Sequence, residues 1–276
     1  MRVFLLGVVL VAAVSSQGQE PYEVKKVIDV ATVPSGHPAT LLDLYLPEGA
    51  EDYPLLIFIH GGAWRAGGKS KYENVGRTFA AAGIGTAVIN YPQGPRHPAH
   101  VEQAACAFGW LREHASTYGW DEDQMFVGGH SCGGHMAALL ALDPKYLKEV
   151  GLKSSAVRGC IVLDAVALDL DHARERPPLL LDMYREAFGP EENWHAASPM
   201  TWITPKSPPF LLLLGENDDS ISHEDTRQFA AKLKAQETAV EFAVIPGRDH
   251  FGMATRIGES GDPVAAKIIE FILNPP

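Results

Sequence analysis

The sequence predicts one α/β domain built on a mostly parallel, eight-stranded sheet with helices on both faces. From about residue 54, apolar-rich strands alternate with helical stretches, and those at 55–59 and 210–214 are continuously apolar, as strands buried on both faces of a parallel sheet are. The parallel strands are expected at 55–59, 85–89, 124–127, 157–163, 210–214 and 240–245. The helices are expected at 70–82, 100–117, 132–142, 222–236 and 262–273.

Two regions depart from this alternation. Residues 22–32 and 40–46 alternate in polarity, which is typical of antiparallel edge strands. Residues 165–207 contain five prolines around an apolar-rich helical stretch at 179–188. Because open α/β sheets bind ligands at the carboxyl ends of their strands, we expect this insertion after the sixth strand to form a short cap over the site. The alternative is a surface excursion with no role in binding.

The composition is that of a globular protein with a substantial core. The chain has 276 residues, of which 46% are hydrophobic and 21% charged. It shows no repeat and no low-complexity linker, which argues against a second domain. A formal net charge of -11 argues against nucleic acid as a partner, because no basic stripe is present to neutralise phosphates.

The first 18 residues are predicted to be a signal peptide. Met1 and Arg2 precede twelve apolar residues, Val3 to Val14, too few to span a bilayer, which takes about 20. Cleavage before Gln17 and cleavage before Gln19 are both compatible with the small residues that follow. We therefore expect a secreted or periplasmic protein, without stable membrane insertion after cleavage, whose hydrolytic domain spans 19–276.

Three cysteines, Cys106, Cys132 and Cys160, give an odd count for an exported chain. Buried free thiols are the simpler interpretation, with a Cys106–Cys160 bridge as the alternative. No cluster of His, Cys and carboxylates has the spacing of a metal site. Neither a metal nor another cofactor is expected.

The strongest chemical signal is VGGHSCGG at 127–134, a GxSxG pattern between an apolar strand and a helical run. A sharp strand-to-helix turn lifts the serine hydroxyl above the sheet, and it needs small residues because backbone passes close by. Gly129 and Gly133 meet that need. The pattern predicts Ser131 as a nucleophile.

A second signal is HGGAW at 60–64, at the end of the third strand. Backbone amides of such a glycine-rich loop can stabilise the oxyanion of acyl transfer. The expected donors are the amides of Gly61, Gly62 and Cys132, with Ala63 as an alternative to Gly61. His60 is expected to hold the loop rather than to act in catalysis.

These motifs resemble the α/β-hydrolase superfamily, and more narrowly the carboxylesterases and kynurenine formamidases with an HGGxW loop and a GHSxGG elbow, including BD-FAE-like esterases. The resemblance covers about residues 22–273. It departs from the common pattern at 90–93, where NYPQ replaces NYRL, and at Cys132, which replaces a more usual alanine. It implies an α/β-hydrolase fold and a serine, acid and histidine in that chain order.

The resemblance places the acid at Asp218, in GENDDSI after the seventh strand, with Asp219 and then Glu216 as alternatives. It places the histidine at His250, after the eighth strand. His250 would act as general base and then general acid, with Asp218 holding its tautomer. His130 and His135 flank the nucleophile but are poorly placed to be its base.

The function expected is that of a secreted serine esterase that hydrolyses small carboxylic esters through an acyl-enzyme, with acylated polysaccharide as a candidate substrate. One alternative is a kynurenine formamidase-like amide hydrolase. The other is a non-catalytic binding protein on the same fold, although such proteins usually lack a triad member. Trp64, Tyr184 and Trp194 are candidates for lining the substrate pocket or for packing. The oligomeric state is left open.

Overall fold

The computed structural model describes residues 22–30, 40–94, 96–173, 178–218 and 223–276. The predicted signal peptide and Asp219 lie outside these ranges. None of the helices within them has the length and apolar character needed to cross a membrane.

Within the described residues, eight strands form one sheet in the order β1-β2-β4-β3-β5-β6-β7-β8. β2 pairs antiparallel with β1 and β4, and every other pairing is parallel, as the sequence predicts. The strands are β1 Tyr22–Val30, β2 Thr40–Pro47, β3 Tyr53–Ile59, β4 Gly85–Ile89, β5 Trp120–His130, β6 Gly159–Leu163, β7 Phe210–Gly215 and β8 Val240–Ile245.

Helices cover both faces of the sheet. They are α1 Glu73–Ala81, α2 Ala99–Glu113, α3 Ala115–Tyr118, α4 Cys132–Leu142, α5 Pro144–Glu149, α6 Pro178–Phe188, α7 Trp194–Ala197, α8 His223–Ala235, α9 Gly252–Thr255 and α10 Pro263–Leu273. The side chains of β3 alternate between two hydrophobic clusters. Ile57 belongs to a cluster that includes residues of α2, α4, α5 and α8, whereas Phe58 belongs to a cluster that includes residues of α1, α9 and α10. The core is therefore two apolar layers separated by the sheet.

The largest differences from the predicted element boundaries are at β5 and α2. β5 begins at Trp120, before a register shift against β3, and its polar residues 121–123 gave no apolar signal for a strand. The single helix expected at 100–117 is divided into α2 and α3 at His114.

The cap segment, residues 165–207, contains α6 and α7 together with short 3-10 turns at Glu191–Asn193 and Pro199–Trp202. α6 buries Tyr184, Ala187 and Phe188 and exposes Leu179, which is 80% accessible. A buried histidine of α4, His135, ties the cap segment to the sheet layers through a 2.9 Å hydrogen bond from Nε2 to the carbonyl of Ala197.

Candidate active site

Ser131 lies between the end of β5 and the start of α4, with φ 57° and ψ -125°. This region of backbone space is sparsely populated by residues other than glycine, so the surrounding structure must hold it. The Ser131 amide donates to the carbonyl of Leu163 (2.9 Å). A Cβ on Gly133 would lie 2.1 Å from the carbonyl oxygen of Ile59, and one on Gly129 would lie 2.4 Å from the backbone of Gly133. The close packing of strand, turn and helix explains the glycines of the elbow.

His250 and Asp218 meet at the carboxyl edge of the sheet. His250 Nδ1 donates to Asp218 Oδ2 at 2.6 Å, and the Asp218 side chain is fully buried. Because Nδ1 carries the proton of this hydrogen bond, Nε2 of the neutral ring has a lone pair that can accept a proton. Glu216, an alternative acid in the sequence, instead accepts from the amide of Gly247 (3.0 Å).

The loop that bears His250 is held by a buried arginine. Arg248 donates to the carbonyl of Gly252 (3.0 Å) and pairs with Asp262 (2.5 Å), and both charged side chains are buried. Asp262 also caps the first turn of α10. The histidine loop is therefore anchored to the body of the domain.

The glycine-rich loop differs from the expectation at Gly61. The Gly61 amide donates to the hydroxyl of Tyr72 (2.9 Å), so it is committed to that tyrosine. Gly62 and Ala63 line the cavity beside Ser131. Gly61 is therefore a weaker candidate for an oxyanion donor than the sequence suggests, and Gly62 and Ala63 are the other candidates in the loop.

Cys132 has a second contact with this loop through its side chain. Its thiol accepts from the amide of Trp64 (3.4 Å) and lies 3.4 Å from the hydroxyl of Tyr91. Burial raises the pKa of the thiol, although these neighbours and the amides of Gly62 and Ala63 oppose that shift. The three cysteines are all free.

A chain of hydrogen bonds links the glycine-rich loop to the histidine loop. The Tyr72 hydroxyl accepts from the Gly61 amide and donates to His130 Nδ1 (3.0 Å), while His130 Nε2 donates to the carbonyl of His250 (2.8 Å). Since a carbonyl can only accept, the proton of His130 lies on Nε2. Burial, reinforced by the neighbouring His250, lowers the pKa of His130 to about 3. His130 is therefore a neutral structural link.

His60 holds the same loop, as the sequence suggests. Its Nδ1 donates to the carbonyl of Gly61 (2.8 Å), and its ring stacks on Tyr91 at 4.3 Å. Burial lowers the pKa of His60 to about 4, so the imidazole is neutral at neutral pH.

The cavity above Ser131 has a volume of about 630 Å³. Its lining joins both loops to the cap segment: Gly61, Gly62, Ala63, Arg65, Ala66, Gly67, Lys71, Tyr72, His130, Ser131, Val166, Leu180, Met183, His250, Phe251 and Thr255. Trp64, Tyr184 and Trp194 are buried and do not line it, which corrects their assignment as pocket residues. Trp64 instead packs edge-on against Tyr184 and against Phe188.

Residues 42–233 match the model of the BD-FAE family. The chain belongs to the BD-FAE family. This confirms the resemblance to BD-FAE-like esterases.

Two relatives of this BD-FAE chain are informative. It is 32% identical to Esterase LipQ of Mycobacterium tuberculosis over 218 residues, which are 74% of this chain and 52% of LipQ. It is 30% identical to Esterase LipC of the same organism over 252 residues, 85% of this chain and 62% of LipC. The chain thus spans between half and two thirds of the length of these relatives.

The structure of esterase 2 from Thermogutta terrifontis, solved phosphoramylated by tabun, superposes with a TM-score of 0.73 and 26% identity over 94% of this chain and 97% of that one. This likeness, with the sheet order, confirms the predicted α/β-hydrolase fold.

Several residues of the BD-FAE site were missed by sequence reasoning. Tyr72, Val166, Leu180, Met183 and Phe251 have no local motif, and their positions depend on how distant segments pack.

In the described ranges, Asp164, Asp218 and His250 are the one close group of three potential metal ligands, with ligand atoms within 4.8 Å of one another. Because His250 Nδ1 is already bonded to Asp218, we assign this group to hydrogen bonding rather than to a metal.

Proposed function

We propose that this chain is a secreted serine esterase that hydrolyses small carboxylic esters through an acyl-enzyme on Ser131. The observation that carries this proposal is the buried hydrogen bond from His250 to Asp218, beside a cavity that also contains Ser131 and the glycine-rich loop. The relatives named esterases support the activity. The apolar N-terminal run supports export.

In the first half-reaction, the Ser131 hydroxyl attacks the ester carbonyl carbon while His250 Nε2 takes its proton. The negative charge that develops on the carbonyl oxygen is stabilised by the backbone amides of Gly62, Ala63 and Cys132. Asp218 stabilises the imidazolium. His250 then gives the proton to the leaving alkoxide oxygen, the ester C–O bond breaks, and the acyl group stays on Ser131.

In the second half-reaction, His250 takes a proton from water, which attacks the acyl carbon. The bond to the Ser131 oxygen breaks, and His250 returns the proton to that oxygen. The products are the carboxylic acid and the free enzyme, so no cofactor enters the balance.

The cavity supports a small substrate. Val166, Leu180 and Met183 give it an apolar side on the cap segment, which suits an acyl or aryl group. Arg65 and Lys71 add two basic side chains to the lining, and Arg65 pairs with Glu186 of α6 at 2.6 Å.

The test compares Ser131→Ala with Ser155→Ala, an exposed serine outside the cavity, on p-nitrophenyl esters of increasing acyl length. Ser131→Ala is expected to lose nearly all activity, leaving roughly a 10³-fold acceleration over water. Ser155→Ala is expected to match the wild type. Near-normal hydrolysis by Ser131→Ala would sink the assignment.

Two further substrates and one probe separate the rival functions. Faster turnover of N-formylkynurenine than of p-nitrophenyl acetate would establish a formamidase, whereas release of acetate from acetylated xylan would point to polysaccharide. Failure of a fluorophosphonate probe to label the wild type would indicate a binding protein.

A further inference from the structure

A second buried aspartate lies beside the Asp218–His250 pair. Asp164 follows β6, is fully buried, and has a φ of 42°, which residues other than glycine, asparagine and aspartate seldom adopt. Its amide donates to the carbonyl of Leu213 (3.0 Å), and its Oδ1 accepts from the amide of Gly215 (2.7 Å). Asp164 is thus fixed where β7 passes into the loop that bears Asp218.

The two carboxyl groups lie near each other and near the imidazole of His250. One oxygen of Asp164, one oxygen of Asp218 and a ring nitrogen of His250 lie within 4.8 Å of one another. Asp164 Oδ2 is buried and receives no N–H from the described residues. Two neighbouring buried carboxylates repel each other, and each also loses its hydration. A proton on one of them removes the repulsion and supplies a hydrogen-bond donor.

The surroundings decide which carboxyl holds that proton. The titratable groups facing Asp164 are Asp218, from the loop after β7, and Asp249 and His250, from the loop after β8. Burial, followed by the charges of Asp218 and Asp249, raises the pKa of Asp164 to about 8, although the Gly215 amide opposes this. Asp218 instead accepts the N–H of His250, which favours its ionised form.

We propose that Asp164 is a positioning residue that stays protonated at neutral pH and donates a hydrogen bond from Oδ2 to the carboxylate of Asp218. This inference rests on the proposed roles of Ser131, Asp218 and His250. The bond orients Asp218 toward His250 without placing a second negative charge beside the imidazole. A carboxylic acid kept neutral by its surroundings can serve as a donor in this way.

The first test follows the proton directly and needs no turnover. The full-length protein is labelled with ¹³C at the aspartate carboxyls, and the carboxyl shifts are followed against pH in the wild type, in Asp164→Asn and in Asp143→Asn. Asp143 is a matched control, because it is also buried but caps α5 at the far end of α4. We expect one carboxyl that titrates near pH 8, absent from Asp164→Asn and retained in Asp143→Asn. The absence of such a carboxyl from the wild type would overturn the proposal, whatever the esterase assays show.

Stability gives an independent readout with a defined sign. The native state holds a proton on Asp164 that the unfolded chain releases above its ordinary pKa of 3.8. The contribution of Asp164 to the free energy of unfolding therefore falls as pH rises from about 4 to about 8. Asp164→Asn is expected to lack this decline. Equal slopes in the two proteins would contradict a protonated Asp164.

The second test is the pH profile of kcat/KM, which a purely structural role would not move. Asparagine accepts the left-handed backbone, keeps an acceptor for the Gly215 amide and offers Nδ2 to Asp218, but it cannot ionise. Asp164→Asn should keep kcat/KM within about threefold at neutral pH, because a hydrogen-bond donor is conserved. It should also lose the decline in kcat/KM that we expect of the wild type as Asp164 ionises near pH 8.

The acid limb of the kcat/KM profile distinguishes a protonated Asp164 from an ionised one. If Asp164 were ionised at neutral pH, its replacement by asparagine would remove a negative charge near the imidazolium and move the acid limb to lower pH. A shifted acid limb would overturn the proposal, and an unchanged one supports it.

Asp164→Ala, which has no donor, is expected to lower kcat roughly tenfold with KM unchanged, because one hydrogen bond to a charged group is lost. An unchanged kcat in a folded Asp164→Ala would count against the positioning role.

Discussion

The two sides of Ser131 are built from different interactions. On the sheet side, Tyr72, His130, Asp218 and His250 are joined by directed hydrogen bonds of 2.6–3.0 Å. On the cap side, the cavity is bordered by apolar side chains such as Leu180 and Met183. Hydrogen bonds fix orientation, whereas apolar contacts are non-directional and scale with buried area. In the proposed mechanism, the sheet side therefore sets the reaction geometry and the cap side the fit of the substrate. Substitutions on the sheet side should mainly change kcat, and those on the cap side should mainly change KM.

The largest effect is expected from Asp218→Asn on the sheet side. Asparagine cannot stabilise the imidazolium and favours the wrong tautomer of His250, so kcat should fall by roughly 10⁴ with little change in KM. Steady-state kinetics on p-nitrophenyl acetate measures the loss, and a melting curve checks the fold. Glu216→Gln and Asp219→Asn replace the alternative acids of the sequence, and both should stay within about twofold of the wild type. Glu216 is exposed, and exposed charges are well screened. A larger loss of kcat in either control than in Asp218→Asn would reassign the catalytic acid to that control residue.

A smaller effect on the same side is expected from Tyr72→Phe. Removing the hydroxyl leaves the Gly61 amide and His130 Nδ1 without this partner. An unmade buried hydrogen bond costs about 1–3 kcal/mol, so kcat should fall roughly tenfold to a hundredfold as the two loops lose their link.

Tyr146→Phe is the matched control, because Tyr146 is also a buried tyrosine but bonds His97 beneath the cap segment, at 3.3 Å. Its kcat is expected to stay near that of the wild type. If both variants lost kcat equally, the effect of Tyr72→Phe would reflect general destabilisation and not the link between the loops.

Sequence reasoning succeeded where chemistry is encoded locally. The elbow around Ser131 needs glycines at fixed offsets, and central strands such as β6 are continuously apolar, so both can be identified within a few residues. The choice of Asp218 over Glu216 came from family spacing, and the structure then brought Asp218 to His250. The catalytic roles themselves stay predictions.

Side chains whose positions depend on distant segments could not be predicted in the same way. Trp64, Tyr184 and Trp194 were candidate pocket residues, but an aromatic residue that packs in a core has the same local pattern as one that lines a site. Tyr72 and Asp164 gave no local sequence signal, because their hydrogen-bond partners are distant in the chain. Tyr72 bonds His130, 58 residues away, and Asp164 bonds Gly215, 51 residues away.

The smallest effect is expected on the cap side, from Met183→Ala. Met183 lines the cavity from α6 and contacts no reacting group of the proposed mechanism, so its truncation removes apolar surface for the acyl group. At about 25 cal/mol per Å² of lost contact, KM should rise roughly threefold to tenfold for longer acyl esters, with less change for acetate and little change in kcat. Leu179→Ala is the matched control, since Leu179 lies on the same helix but is 80% exposed and does not line the cavity. A loss of kcat equal to the rise in KM, or the same rise in Leu179→Ala, would show that the cap side also fixes reaction geometry, and the division between the two sides of Ser131 would fail.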